Sequence, residues 1–142
     1  VAAPRPIIVD TNIIFSALLR SQSRFADILL RPTLQFYTSE RVVIELFKHK
    51  EKLVRLSRLP EDDILRLYYL LLRRINLHKD DLVSTENHQT AYALCKDIDE
   101  TDAPHVALTF ELNGLLWTGD NTLKTGLRAK GFDQFFEPGQ FE

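Results

Sequence analysis

The chain has 142 residues, the length of one ordinary domain, and its 44% apolar and 27% charged content is that of a globular rather than a disordered chain. Eighteen Lys and Arg against twenty Asp and Glu leave a net charge of −2, which excludes an overtly basic nucleic-acid binder. No apolar run approaches the about 18 residues of a membrane span. The single cysteine, Cys95, excludes an internal disulfide and a multi-cysteine zinc site and suits a reducing cytoplasm.

In chain order, residues 1–5 read as a disordered or remnant end outside the fold. Residues 6–9 form a first short apolar strand. A helix is expected over 11–20, with Ile13, Ile14, Ala17 and Leu18 on its buried face. Ser23 offers a cap for a second helix over 25–31, ended by Pro32. A strand over 34–38 follows, then Ser39 as a cap and one helix over 40–55, with Val43, Phe47 and Val54 sharing a face. Pro60 and the acids Glu61, Asp62 and Asp63 open another helix with Ile64, Leu67, Tyr68 and Leu71 as its apolar stripe. Residues 75–78 suit a short strand, 87–96 and 102–113 suit helices, and Gly114 stops the second of these. Residues 115–118 suit a buried strand, a helix then runs to a stop at Gly131, and Phe135–Phe136 suggest a last edge strand.

Strands alternating with helices predict one α/β domain over 1–142: three αβα layers around a mostly parallel sheet of four or five strands. In such sheets, sites form beyond the carboxyl ends of the strands. Asp10 follows the first strand directly, and Asp120 follows residues 115–118 within two residues. Asp102 lies at a helix start, and Glu45 lies one to two turns into the helix after the second strand. Each acid alone also has a plain structural reading: Asp10, Asp102 and Asp120 as caps or loop acids, Glu45 as a surface partner of Lys48 or His49. Their joint placement at successive strand ends favours convergence.

Two carboxylates about 4 Å apart repel by roughly 4 kcal/mol at an effective dielectric of 20, so a converged set must take up protons or cations. Oxygen-only ligands suit Mg²⁺ or Mn²⁺, and such ions serve phosphodiester hydrolysis. Residues 41–58 also carry six Lys or Arg against two Glu. On a single helix, Arg41, Lys48 and Lys52 would flank Glu45, a basic border suited to a polyanion. His105, one turn after Asp102, either faces the crevice or packs at its helix start. Trp117 reads as core, and Cys95 as a small buried hydrophobe. The apolar side chains between Phe15 and Leu30 suit either core packing or a partner surface. Arg73 and Arg74 read as surface.

Three stretches together resemble the PIN-domain nucleases: Ile7-Ile-Val-Asp-Thr-Asn-Ile-Ile14, Asp99-Glu-Thr-Asp-Ala-Pro-His-Val-Ala-Leu108 and Leu116-Trp-Thr-Gly-Asp-Asn-Thr-Leu123, with 18 residues from Asp102 to Asp120. The resemblance implies that Asp10, Glu45, Asp102 and Asp120 are catalytic, metal-binding acids, with Asp99 as an accessory. It also implies that Asn12 and Thr118 support them. Members are Mg²⁺- or Mn²⁺-dependent ribonucleases, many of them VapC-like toxins neutralised by an antitoxin and often dimeric. The expectation is a cytoplasmic, metal-dependent endoribonuclease with Arg41, Lys48 and Lys52 on the RNA, an antitoxin partner and a homodimer, and no membrane association. The alternatives are an inactive nucleic-acid- or protein-binding module on the same fold and a Mg²⁺-binding receiver-like signalling domain. A receiver normally has paired early acids, where this chain has Asp10 alone.

Overall fold

A computed structural model describes residues 5–19, 24–57 and 59–141. Its elements are β1 (Ile7–Val9), α1 (Thr11–Leu19), α2 (Arg24–Leu29), β2 (Phe36–Ser39), α3 (Arg41–Lys48), α4 (Lys50–Leu56), α5 (Glu61–Arg74) and β3 (Ile75–His78). After these come α6 (Thr85–Cys95), α7 (Ala103–Leu112), β4 (Leu115–Trp117) and α8 (Asn121–Ala129), with single 3₁₀ turns at Asp80–Leu82, Glu100–Asp102 and Pro138–Phe141. The four strands form one parallel sheet in the order β3-β2-β1-β4.

Side chains of successive strand residues point to opposite faces, and that period sorts the core into two halves. Ile7 and Val9 of β1 join Phe36, Ile75 and Trp117 in a cluster covered by α1 to α5. Ile8 joins Leu116 in a second cluster covered by α6, α7 and α8, where Ala91, Cys95, Val106, Leu108, Leu123 and Leu127 are buried. The sheet is thus the middle layer of an αβα sandwich, as the alternating pattern implies. Trp117 is core, ringed by Phe25, Phe36 and Phe136 at centroid distances of 6.0, 6.0 and 5.2 Å. Cys95 is fully buried, and burial pushes its thiol up to about 11.

Local chemistry explains most element ends. Ser84 caps α6 by accepting from the Asn87 amide, so that helix starts at Thr85, two residues before the expected 87. Asn113 ends α7 in the left-handed conformation, at φ 50°. Gly114 then passes so close to β1 that a Cβ would lie 2.5 Å from the Pro6 carbonyl oxygen. Steric room, not a left-handed backbone, is what requires glycine there. Gly131, at φ 93°, follows the end of α8 as expected.

Several expectations need correction. Residues 40–55 are two helices, because the chain turns at His49 with φ −102° and ψ 14°. Their buried face is Val42, Leu46 and Leu53; Phe47 is 76% exposed. The stripe is therefore displaced by one residue from Val43, Phe47 and Val54. β2 begins at Phe36 and takes in Ser39, whose hydroxyl accepts from the Arg41 amide although Glu40 occupies the cap position. Phe135 makes only an isolated parallel bridge to Leu116, so the last edge strand is reduced to one pair. Arg5 is pinned to the Asn113 and Gly114 carbonyls at 3.2 and 3.0 Å and belongs to the fold. Arg74 is no plain surface residue: it donates to the Arg31 and Leu34 carbonyls at 2.6 and 3.2 Å, tying α5 to the loop before β2. The expected cap at Ser23 and the helix end at Arg20 lie outside the described residues.

Candidate active site

The chain runs from β1 outward to β2 and β3, then returns to place β4 on the other side of β1. Neighbouring strands whose connections leave in opposite directions open a crevice at their carboxyl ends. Asp10 stands at that point. Its amide extends the ladder by donating to the Trp117 carbonyl at 3.0 Å, and the residue is only 3% exposed.

Burying a carboxylate is costly unless it is hydrogen-bonded, and Asp10 is. Thr118 donates its hydroxyl to Asp10 Oδ2 at 2.8 Å, and the Asn12 amide approaches Oδ1 at 3.3 Å. The same Thr118 oxygen accepts from the Asp120 amide at 3.2 Å. One hydroxyl therefore sets the relation between the two acids. Asp120 in turn caps α8 by accepting from the Leu123 amide at 3.1 Å. Its structural and functional readings coexist.

Asp10, Asn12, Glu45, Asp99, Asp102 and Asp120 all line one cleft of about 390 Å³. Asp102 occupies the N-terminal end of α7 and is buried. Its carboxyl is pushed up to about 7, first by desolvation and then by the negative charges of Asp10, Asp99, Asp120 and Glu45. Asp99 has its Oδ1 engaged by the Thr101 amide at 3.0 Å and the Thr101 hydroxyl at 2.6 Å. Glu45 is exposed on α3 at the mouth of the cleft.

His105 does face this crevice. Its Nε2 lies 3.4 Å from Thr11 Oγ1 and 3.9 Å from Asp10 Oδ1. Burial lowers its pKa, against the opposing charges of Asp10, Glu45 and Asp80, so the ring is neutral at pH 7. Among the described residues its buried Nδ1 has no hydrogen-bond partner.

The basic residues divide differently from the expectation. Lys52 and His49 line the acid cleft. Arg41 pairs with Asp80 and lines an adjoining cavity instead, while Lys48 is exposed and lines neither. The turn at His49 breaks the continuous helical stripe that would have joined them. Thr11, Phe15 and Thr101 also line the cleft without having been singled out from the sequence. Thr11 was legible as part of the Asp-Thr-Asn run, Thr101 as part of the Asp99–Leu108 stretch, and His49 as the residue one turn after Glu45; Phe15 carried no signal for the site.

The acids of the cleft offer carboxylate oxygens, the donors that suit Mg²⁺ and Mn²⁺, with the His49 and His105 rings also in its lining. The raised Asp102 carboxyl reflects burial first and the neighbouring acids second. The acids line the walls of an open cleft, and among the described residues no group of three or more His, Cys, Asp or Glu is placed to hold a metal ion as it stands. The residues fit a hard divalent ion by charge and donor type. Among the described residues, no helix is long and apolar enough to cross a membrane.

Comparison with known proteins bears on the fold and the family. No curated protein matches the chain. A solved structure described as the crystal structure of PAE2754 from Pyrobaculum aerophilum is similar in fold, with a TM-score of 0.60 at 13% identity, covering 86% of this chain and 79% of that one. The family model of the PIN domain matches residues 8–136, nearly the whole described fold. The chain belongs to the PIN-domain family and carries its nuclease-type fold.

Proposed function

We propose that the protein is an endoribonuclease that hydrolyses RNA phosphodiester bonds and requires Mg²⁺ or Mn²⁺. The observation that carries this reading is that Asp10, Glu45, Asp99, Asp102 and Asp120, from separate segments of the chain, line one cleft, where burial and the neighbouring carboxylates raise the Asp102 carboxyl to about 7. Such a cluster stores repulsion that a divalent cation relieves. Asp10, Asp102, Asp120 and Glu45 would hold the ion or ions, with Asp99 as accessory. A bound ion of this kind supplies electrostatic stabilisation of the attacked phosphodiester and a more acidic water.

The chain's own groups have distinct tasks. Thr118 and the Asn12 amide fix the Asp10 carboxylate. Glu45, at the cleft mouth, helps to position the attacking water. Lys52, a cationic side chain lining the cleft, draws the RNA backbone toward the acids. Neutral His105 packs beside Asp10 without adding positive charge.

Asp10→Asn tests the reading. Mn²⁺-dependent cleavage of single-stranded RNA should fall by about two orders of magnitude or more, with the thermal transition retained. Unchanged cleavage would overturn it, and RNA binding without cleavage by the wild type in either metal would favour the inactive binding module. Because many PIN-domain nucleases are VapC-like toxins, the proposal extends to an antitoxin partner and a homodimer. The product of the neighbouring reading frame should then co-purify with the chain and suppress cleavage, and sedimentation should give twice the chain mass.

A further inference from the structure

The acid cleft continues past Glu45 into a second cavity of about 440 Å³, and the two share Glu45, Thr101 and His105 as walls. Ser39 and Arg41 place this cavity beyond the carboxyl end of β2, one strand over from β1. Across from them, α6 contributes His88 and Tyr92, four residues apart and so on one face of that helix. His88 Nε2 lies 3.0 Å from the Asp80 carbonyl, and the Asp80 side chain accepts from Ser39 Oγ at 2.8 Å and pairs with Arg41. Asp80 thus organises this cavity as Thr118 organises the cleft. Tyr92 is half exposed, and among the described residues its ring packs on no other ring.

We infer that this cavity receives the base of a nucleotide flanking the scissile phosphate of single-stranded RNA, with Tyr92 as its stacking platform. The inference rests on the ribonuclease reading and assigns that activity a base-dependent subsite. The chemistry selects a base over a phosphate: Glu45 and Glu100 stand in the wall, and the charge of Arg41 is already met by Asp80. A flat, neutral ring gains from an aromatic side chain where an anion would be repelled. The volume lies in the ordinary range for small-ligand pockets. The shared walls let one strand lay a phosphate in the cleft and the adjoining base in the cavity.

The test uses binding, so that it stands apart from turnover. Single-stranded RNA octamers, intact or with one abasic ribose stepped along the chain, are titrated in Mg²⁺ against Asp10→Asn and against Asp10→Asn with Tyr92→Ala or Tyr92→Phe. One abasic position should weaken binding to Asp10→Asn about tenfold. Tyr92→Ala should weaken the intact RNA by a similar factor and abolish the effect of that abasic position, while Tyr92→Phe should match the parent. Equal binding of all octamers, or losses from Tyr92→Ala and the abasic position that multiply, would overturn the inference. Cleavage by wild type on the same octamers separates the two claims: base-dependent binding without cleavage supports the pocket and overturns the ribonuclease reading.

Discussion

Thr118 shows how one side chain can decide a site. Its hydroxyl donates to a buried carboxylate and accepts from the amide of the next acid, so both lone pair and proton are used. Thr118→Val keeps the shape and removes both bonds, leaving Asp10 with one fewer partner; this should cost about 1.5–3 kcal/mol of stability and most of the activity. Thr118→Ser should restore much of both, as read by chemical denaturation and RNA cleavage. Asp102 behaves in the opposite sense. An acid whose folded pKa is raised loses no stability below its unfolded value, then destabilises the fold increasingly as pH rises toward the folded one. For Asp102 that window runs from about 4 to about 7. In metal-free buffer, Asp102→Asn should therefore raise the Tm by several degrees at pH 8 and by much less at pH 5. A variant less stable than the wild type at pH 8 would contradict the repulsion argued here.

Among the elements, α3 and α4 carry the clearest limit on what pattern alone reveals. Val42, Leu46 and Leu53 fit helical spacing as well as Val43, Phe47 and Val54 do, and only packing into the core beside α1 selects the former. Leu53→Ala should accordingly cost about 2–5 kcal/mol, because it opens a cavity in the core, whereas Phe47→Ala should cost little. Urea unfolding of both variants checks this, and equal losses would contradict the assignment. The β1 and β4 runs were easier to read. Short apolar stretches ending in Asp10 and Thr118 admit few other placements in a parallel sheet, and α7 with its preceding acids was equally plain. Phe135–Phe136 looked like a strand because the residues favour one, yet the chain offers only a single paired residue before turning into the 3₁₀ segment.

At the scale of the whole molecule, the winding of the sheet is what gathers the acids. Asp10, Glu45, Asp99, Asp102 and Asp120 are spread over more than a hundred residues of sequence, and all line one cleft beyond β1 and β4. This convergence was legible because strand ends and helix starts fall on the same edge of any parallel sheet. The role of the basic residues was not, since it depends on a turn at His49 that no residue type announces. Addition of Mg²⁺ or Mn²⁺ should raise the Tm at pH 8 in proportion to the logarithm of concentration above saturation, and this gain should shrink in Asp102→Asn. The most direct measurement is an NMR titration of the Asp102 side-chain carboxyl. In metal-free protein it should titrate near pH 7, and Mg²⁺ should drive its midpoint down to or below the ordinary 3.8. A midpoint already near 3.8 in metal-free protein would contradict the account.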